Sequence, residues 1–304
     1  MLITAVEQYI ATRRALGFKL VEQNRRLRHF AAFAAARGED HVRVATVLEW
    51  AAQAPSPHAR HIRCRDLRRF ARFAHAEDPL HERIVGDPLP HRWRRPLPHI
   101  YTADEIGRML AAARSIRETF SMKRQIVATF VGLVATTGMR FSEALRLRLD
   151  DIHPDGHLVV RMTKFRKSRL VPLHATTREA LARYLAKRRR QKGQNVYLFP
   201  ASRGNTHVSE PTMRNAFHEA QEIAGIAKRN GRFPRVHDLR HTFATRSLER
   251  CAHRGKDVAR HHLALTTYLG HANPQDTYWY LQATPSLMQD TASATESLMW
   301  TVTP

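Results

Sequence analysis

Cysteine is nearly absent from this chain: Cys64 and Cys251 are the only two in 304 residues. Two thiols cannot build a disulfide framework or a Cys-rich zinc site, and their scarcity suits a reducing, cytoplasmic setting. No apolar run is long enough to cross a bilayer, and the mean hydropathy is −0.47. The opening M-L-I-T-A-V-E-Q-Y-I lacks the basic, apolar and small-residue succession of a secretory signal. There is no internal repeat and no low-complexity segment. No P-loop, no H-E-x-x-H and no carboxylate cluster of the two-metal kind occurs, so no cofactor and no metal is expected. Adjacent histidines, His261 with His262 and the near pair His58 and His61, are ordinary among 19 histidines. Acid is scarce as well. Asp and Glu number 27 against 50 Lys and Arg, a formal charge of +23. Such an excess repels itself unless it meets a polyanion, and nucleic acid releases counterions when a cation replaces them. The expected partner is double-stranded DNA, the expected location the cytoplasm and its nucleoid, with no membrane.

What is present divides the chain. Residues 1–86 have helical apolar stripes: Leu2, Val6, Tyr9 and Ile10; then Leu27, Phe30, Ala31 and Ala34; then Ile62, Phe70, Phe73 and Ala74. The third stripe is interleaved with Arg60, Arg63, Arg65, Arg68, Arg69 and Arg72, opposed only by Asp66. That face is expected to meet phosphates through Arg65, Arg68, Arg69 and Arg72, the alternative being a plain solvated face. Four prolines in D-P-L-P-H-R-W-R-R-P-L-P-H, residues 87–99, forbid a helix. Residues 87–100 are thus an extended linker, and Arg92, Arg94 and Arg95 place it along a phosphate backbone. A second domain, 101–284, opens on T-A-D-E with capping-box spacing from Thr102 to Glu105. An apolar helix over 122–137 ends at Gly138, and a helix resumes over 141–149. H-L-V-V-R (157–161) and R-L-V-P-L (169–173) read as two strands around a basic turn that holds Lys164, Arg166 and Lys167. T-T-R-E (176–179) reads as a further cap. Helices follow near 209–225, 237–251, 257–269 and 274–282. The fold class is mainly α with a small antiparallel sheet. A tail, 285–304, keeps Leu287, Met288, Leu298, Met299 and Trp300 beyond the last of these helices.

Four segments carry chemistry. A-T-T-G-M-R-F-S-E-A-L puts Arg140 and Glu143 just past a glycine turn. The hairpin M-T-K-F-R-K-S-R-L-V-P-L puts Lys164 at its tip. V-H-D-L-R-H-T-F-A-T puts His237 and Arg240 on one helical face. Y-L-G-H-A-N-P-Q-D-T-Y-W-Y-L holds His271, Tyr278 and Tyr280. Singly, each has a plain structural reading: a helix cap, a turn lysine, a surface pair, a core histidine, a packing tyrosine.

Together and in this order they resemble the tyrosine recombinase, or phage integrase, family over about residues 100–283. The matching pattern is an Arg after a T-G-M turn, a hairpin Lys, H-x-x-R, L-G-H, and a Tyr nine residues beyond that His. By this resemblance Arg140, Lys164, His237, Arg240, His271 and Tyr280 inherit the catalytic roles, and Glu143 an acidic buttressing position. Residues 1–86 are similar to the family's core-binding domain in length and basicity rather than in motif. D-T-Y-W-Y-L departs from the family in its second tyrosine. Tyr278 and Tyr280 lie about 200° apart on a helix, and the spacing from His271 selects Tyr280.

The implied chemistry suits these residue types. A phenol near pKa 10 is ionised in only about one molecule per thousand at pH 7. Arg140 and Arg240 would neutralise the non-bridging oxygens, His237 would take the phenol proton, His271 would bind a phosphate oxygen, and Lys164 would protonate the leaving 5′ oxygen. The product is a covalent 3′-phosphotyrosine that a second 5′ hydroxyl attacks without ATP. The resemblance further implies a clamp on DNA, and a homotetramer or a mixed tetramer with related recombinases at the synapse. The tail packs either on its own domain or on a neighbouring protomer. D-T-Y-W-Y-L-x-A-T-P is similar to transposon-borne members, which makes a mobile element the expected setting. The competing activities are a type IB topoisomerase-like or telomere-resolving reaction, and a DNA-binding regulator with a vestigial site.

Overall fold

The computed structural model describes residues 1–91, 97–120, 122–161, 168–190, 195–253 and 258–270, with Asn273, Gln275, Thr277 and Tyr280 beyond them. The chain separates into two compact units, 1–96 and 97–304.

The first unit holds α1 (Leu2–Ala15), α2 (Val21–Ala35), α3 (Val44–Ala52) and α4 (Pro57–Glu77). Leu2, Val6, Tyr9 and Ile10 of α1 and Leu27, Phe30, Ala31 and Ala34 of α2 are all buried, and they share one core with Trp50 and Phe70. In the third stripe Phe70 and Ala74 are buried, whereas Ile62 and Phe73 are half-buried. α4 starts where the Ser56 hydroxyl accepts from Ala59 N and Pro57 takes the first helical position. There the missing proline N–H costs nothing. The α4 arginines divide by job. Arg63 donates to Trp50 O at 2.8 Å and lies over the Trp50 ring, and Arg60 donates to Ala54 O. Asp66 corrects the sequence reading: it is buried and paired with Arg26 of α2 at 2.7 Å, with Arg65 at 3.4 Å. It therefore belongs to helix packing and does not offset the outer face. Arg68, Arg69 and Arg72 are exposed. With Arg83 they line a cleft of about 400 Å³.

The second unit holds α5 (Ala103–Ala112), α6 (Lys123–Thr137), α7 (Phe141–Leu145), a 3-10 turn (Leu149–Asp151), β1 (His157–Val160), β2 (Arg169–Pro172), α8 (Ala175–Arg189), α9 (Glu210–Ile223), α10 (Val236–His253) and α11 (Val258–Leu269). β1 and β2 pair antiparallel, with His157 opposite Pro172 and Val160 opposite Arg169. α6 is the central helix. Its Ile126, Val127, Phe130, Val131, Leu133 and Val134 are buried, and α5, α8, α9 and α10 pack on it. The capping box of α5 forms as its spacing predicts, Thr102 and Glu105 each satisfying the other's backbone N–H.

Most helix boundaries shift by a residue or two from the sequence reading, and two of the differences have a cause in named side chains. The helix over 141–149 stops at Leu145, because the buried Asp151 carboxylate takes the Arg148 N–H at 2.9 Å and also pairs with Arg161, turning the chain into the 3-10 segment. The cap at Thr176 moves to His174, whose ring nitrogen accepts from Thr176 N and whose carbonyl receives Thr177 N and Arg178 N. The described ends of the proline-rich stretch are fastened to their own units. Leu89 O bonds His61 and Asp87 faces the same ring, whereas His99 bonds Glu105 at 3.1 Å. Arg92, Arg94, Arg95, Lys164, Arg166, Lys167, His271, Tyr278 and the tail 285–304 lie outside the described residues.

Candidate active site

The site is built where helices end. α6 terminates at Gly138, in the left-handed region at φ 61°. A Cβ there would stand 2.5 Å from Phe243 of α10, so only glycine fits. The turn delivers Arg140 to the N-cap of α7, with Met139 buried beneath it. Glu143, three residues on, accepts the Arg140 backbone N–H at 3.0 Å and its Nη1 at 2.7 Å. That is capping-box geometry with an arginine at the cap. α11 ends at Gly270, also left-handed at φ 66°, and exposes two successive carbonyls. Gly270 O accepts Arg140 Nη2 at 2.8 Å and Leu269 O accepts Arg240 Nη2 at 2.8 Å. Arg240 Nη1 donates to Gly138 O at 2.7 Å. Both guanidiniums thus hang on the negative ends of helices α6 and α11, which hold a cation without cancelling its charge. Burial draws the Arg240 pKa down to about 10, with the Tyr280 phenol acting the other way, so it stays charged at neutral pH.

The other half of the site is a row of rings. His237 and His241 are one turn apart on α10, edge to face at 4.6 Å between centroids. Tyr280 rests on His241 at 5.4 Å. Tyr280 is buried, in a cluster with Ala244, Leu248, Leu265 and Leu269. Its segment is tied to α11 by the buried hydroxyls of Thr266 and Thr277, 3.0 Å apart. Burial first, then the charges of Arg240 and Arg235, push His237 down to about 4. It is therefore a neutral imidazole at pH 7, able to accept a proton.

Arg140, Glu143, His237, Arg240 and Tyr280, all named from sequence, meet here. Two further participants were not named. Arg169, the first residue of β2, donates to both Glu143 oxygens, at 3.2 and 2.7 Å. The sequence reading placed it at the start of the second strand, in M-T-K-F-R-K-S-R-L-V-P-L, and gave it no role. His241 sits at i+4 from His237, a spacing that puts it on the same face. Burial alone would raise the Glu143 pKa, but the bonds and charge of Arg169 and then of Arg140 outweigh it and hold the carboxyl at about 2. α10 itself is pinned near its start: Thr242 Oγ1 accepts the Tyr101 N–H at 2.9 Å and donates to Asp238 O. Among the described residues, two groups have side chains close enough together to hold a cation: His41, Asp78 and His81 in the first unit, and His153, Asp155 and His157 in the second. In the first of these His81 Nδ1 accepts the Val42 N–H, which fixes the ring proton on Nε2.

Residues 100–286 match the phage integrase family. The chain belongs to that family. It is an enzyme of the tyrosine recombinase type, and relatives along most of its length agree. The integrase/recombinase-type protein y4rB of Sinorhizobium fredii is 36% identical over 295 residues, 94% of this chain and 94% of that one. The tyrosine recombinase XerD of Brucella abortus is 30% identical over 250 residues, 79% of this chain and 76% of its own. Among solved structures, a lambda integrase dimer bound to a core site superimposes with a TM-score of 0.64 at 19% identity, covering 92% of this chain and 76% of that one. The Tn1549 transposon integrase in complex with transposon right-end DNA gives 0.61 at 16%, covering 96% and 98%. These two share the fold. Like other phage integrases the chain is mainly helical with a small antiparallel sheet, and among the described residues no helix is long and apolar enough to cross a membrane.

Proposed function

We propose that this phage integrase breaks and rejoins DNA strands at a specific site, with Tyr280 as the nucleophile. The observation that carries the reading is the pairing of Arg140 and Arg240 on adjacent carbonyls, Gly270 O and Leu269 O, beside the His237, His241 and Tyr280 ring row. Two fixed guanidiniums match the two non-bridging oxygens of a phosphodiester, whose charge grows as phosphorus becomes five-coordinate. The Tyr280 oxygen attacks phosphorus, its proton passes to His237, and the 3′ phosphate becomes bonded to Tyr280 as the 5′ oxygen leaves. Lys164 protonates that leaving oxygen and His271 bonds a phosphate oxygen. Both assignments rest on the sequence pattern. A 5′ hydroxyl from a second strand then reverses the step.

DNA is held by the basic face of residues 1–86, through Arg65, Arg68, Arg69 and Arg72, by Arg92, Arg94 and Arg95 of the linker segment 87–100, and by Arg166 and Lys167 of the hairpin in the domain 101–284. The exposure of Arg68, Arg69 and Arg72 supports this. A homotetramer, or a mixed tetramer with related recombinases, forms the synapse. Solved structures of the same fold include a lambda integrase tetramer bound to a Holliday junction, which supports this reading. A mobile element is the setting, in keeping with the transposon integrase among the neighbours.

The test is covalent trapping on a nicked duplex carrying the DNA that flanks the gene. Wild type forms a protein–DNA adduct that maps to Tyr280 by mass spectrometry. Tyr280→Phe forms none and keeps its DNA affinity within about twofold. An adduct in the Phe variant removes Tyr280 as nucleophile.

A further inference from the structure

We propose that Arg169 is a charge-balancing positioning residue: it neutralises Glu143 so that Arg140 keeps its positive charge for the scissile phosphate. The inference rests on the reading above, in which Arg140 binds that phosphate. Glu143 lies between two guanidiniums. Arg140 reaches it through Nη1 at 2.7 Å, and Arg169 through Nη1 and Nη2 at 3.2 and 2.7 Å. The carboxylate is only 8% exposed and the Arg169 side chain 12%, against 24% for Arg140. The more exposed guanidinium is thus the one that reaches outward, and the more buried one stays on the acid. Arg169 is also wedged against Gly270, where an added Cβ would stand 3.2 Å from its Nη1. Gly270 O in turn holds Arg140.

The charges decide what this arrangement does. Glu143 is needed to shape the turn, because it caps the Arg140 N–H. An ionised carboxylate 2.7 Å from a phosphate-binding arginine would cancel most of its charge, and a dianionic transition state would meet one effective cation, Arg240, in place of two. With Arg169 present, the three groups Arg140, Glu143 and Arg169 carry a net charge of +1, and the carboxylate is shared. Without it they carry zero. A second consequence concerns the hairpin. Arg169 begins β2, five positions after Lys164 in the sequence, and its ion pair with Glu143 ties the first residue of that strand to α7.

The experiment is a double-substitution cycle on the full chain, reading the single-turnover rate of adduct formation on the nicked duplex. Arg169→Gln is expected to slow adduct formation by about tenfold or more, in line with losses on removing electrostatic support from a transition state. Adding Glu143→Gln to Arg169→Gln is expected to restore at least a threefold share of that loss, since the unbalanced carboxylate is gone. A purely structural ion pair leaves the double variant less than threefold faster than Arg169→Gln. That result, or an Arg169→Gln rate within twofold of wild type, overturns the inference. If Arg169→Gln does not fold, Glu143→Gln is compared with the double variant. Their rates are expected to agree within twofold, and any larger gap overturns the inference. Arg140→Gln separates this from the reading beneath it: wild-type cleavage by Arg140→Gln defeats the phosphate assignment itself, whatever Arg169 does.

Discussion

His237 is uncharged in the folded chain because burial and the neighbouring arginines hold its pKa at about 4. In the unfolded chain it returns to about 6.5. The unfolded state therefore binds the extra proton as pH falls below 6.5, and stability is lost down to about pH 4, on the order of 3 kcal/mol by linkage. Glu143, held at about 2, adds a loss in the same direction below about pH 4.5. Urea unfolding of wild type should weaken steadily from pH 6.5 to 4, and His237→Gln should flatten that slope. A slope that survives the substitution unchanged assigns it elsewhere. Gly138 makes a second residue-scale case. Gly138→Ala forces a positive φ on a side chain and drives its Cβ into Phe243, and Gly138 O is a ligand of Arg240. A loss of roughly 1–3 kcal/mol from the backbone alone is expected, with more from the clash. Thermal unfolding should show a fall in Tm of several degrees, and adduct formation should fall with it.

At the scale of elements, what matters is how the Tyr280 segment is held to α11. The Thr266 hydroxyl donates to His262 O at 2.8 Å and meets Thr277 Oγ1 at 3.0 Å, both threonines being buried. Tyr280 lies three positions after Thr277, so the pair ties the segment that carries the phenol to α11. Thr266→Val keeps the side-chain shape and removes the hydroxyl that meets Thr277, a cost of about 1 kcal/mol for a buried hydrogen bond. Adduct formation should slow by about tenfold while DNA affinity is unchanged, and Thr266→Ser should restore the rate. Equal rates for the Val and Ser variants would show that the bond has no hold on the nucleophile. Helix ends matter in the same way elsewhere: Gly138 and Leu269–Gly270 act as arginine ligands only because α6 and α11 stop where they do.

For the whole molecule the governing quantity is the charge of +23. DNA affinity should fall steeply with salt, because each neutralised phosphate releases counterions. Replacing Arg68, Arg69 and Arg72 by Gln one at a time should lower the slope of log K against log salt by about 0.9 for each arginine that meets a phosphate. Fluorescence anisotropy on the flanking duplex measures this. An unchanged slope in all three variants places DNA on another face.

The sequence by itself determined the family, the helical class, the two-stranded hairpin, and five of the residues that meet in the site. It could do so because those features are local: a glycine turn, an H-x-x-R spacing, and apolar stripes of helical period. The stripe of α1 is buried at all four positions named from it, Leu2, Val6, Tyr9 and Ile10. What only the tertiary structure decided are partnerships between distant segments. Asp66 looks like a counter-charge on an arginine face until Arg26, forty residues away, is seen to hold it. Leu145 looks mid-helix until Asp151 turns the chain. Arg169 looks like a strand residue until Glu143, across 26 residues, takes both its Nη nitrogens. A side chain's charge is written in the sequence, but the group that balances it is chosen by packing, and at this site that choice sets which arginines are left to face a phosphate.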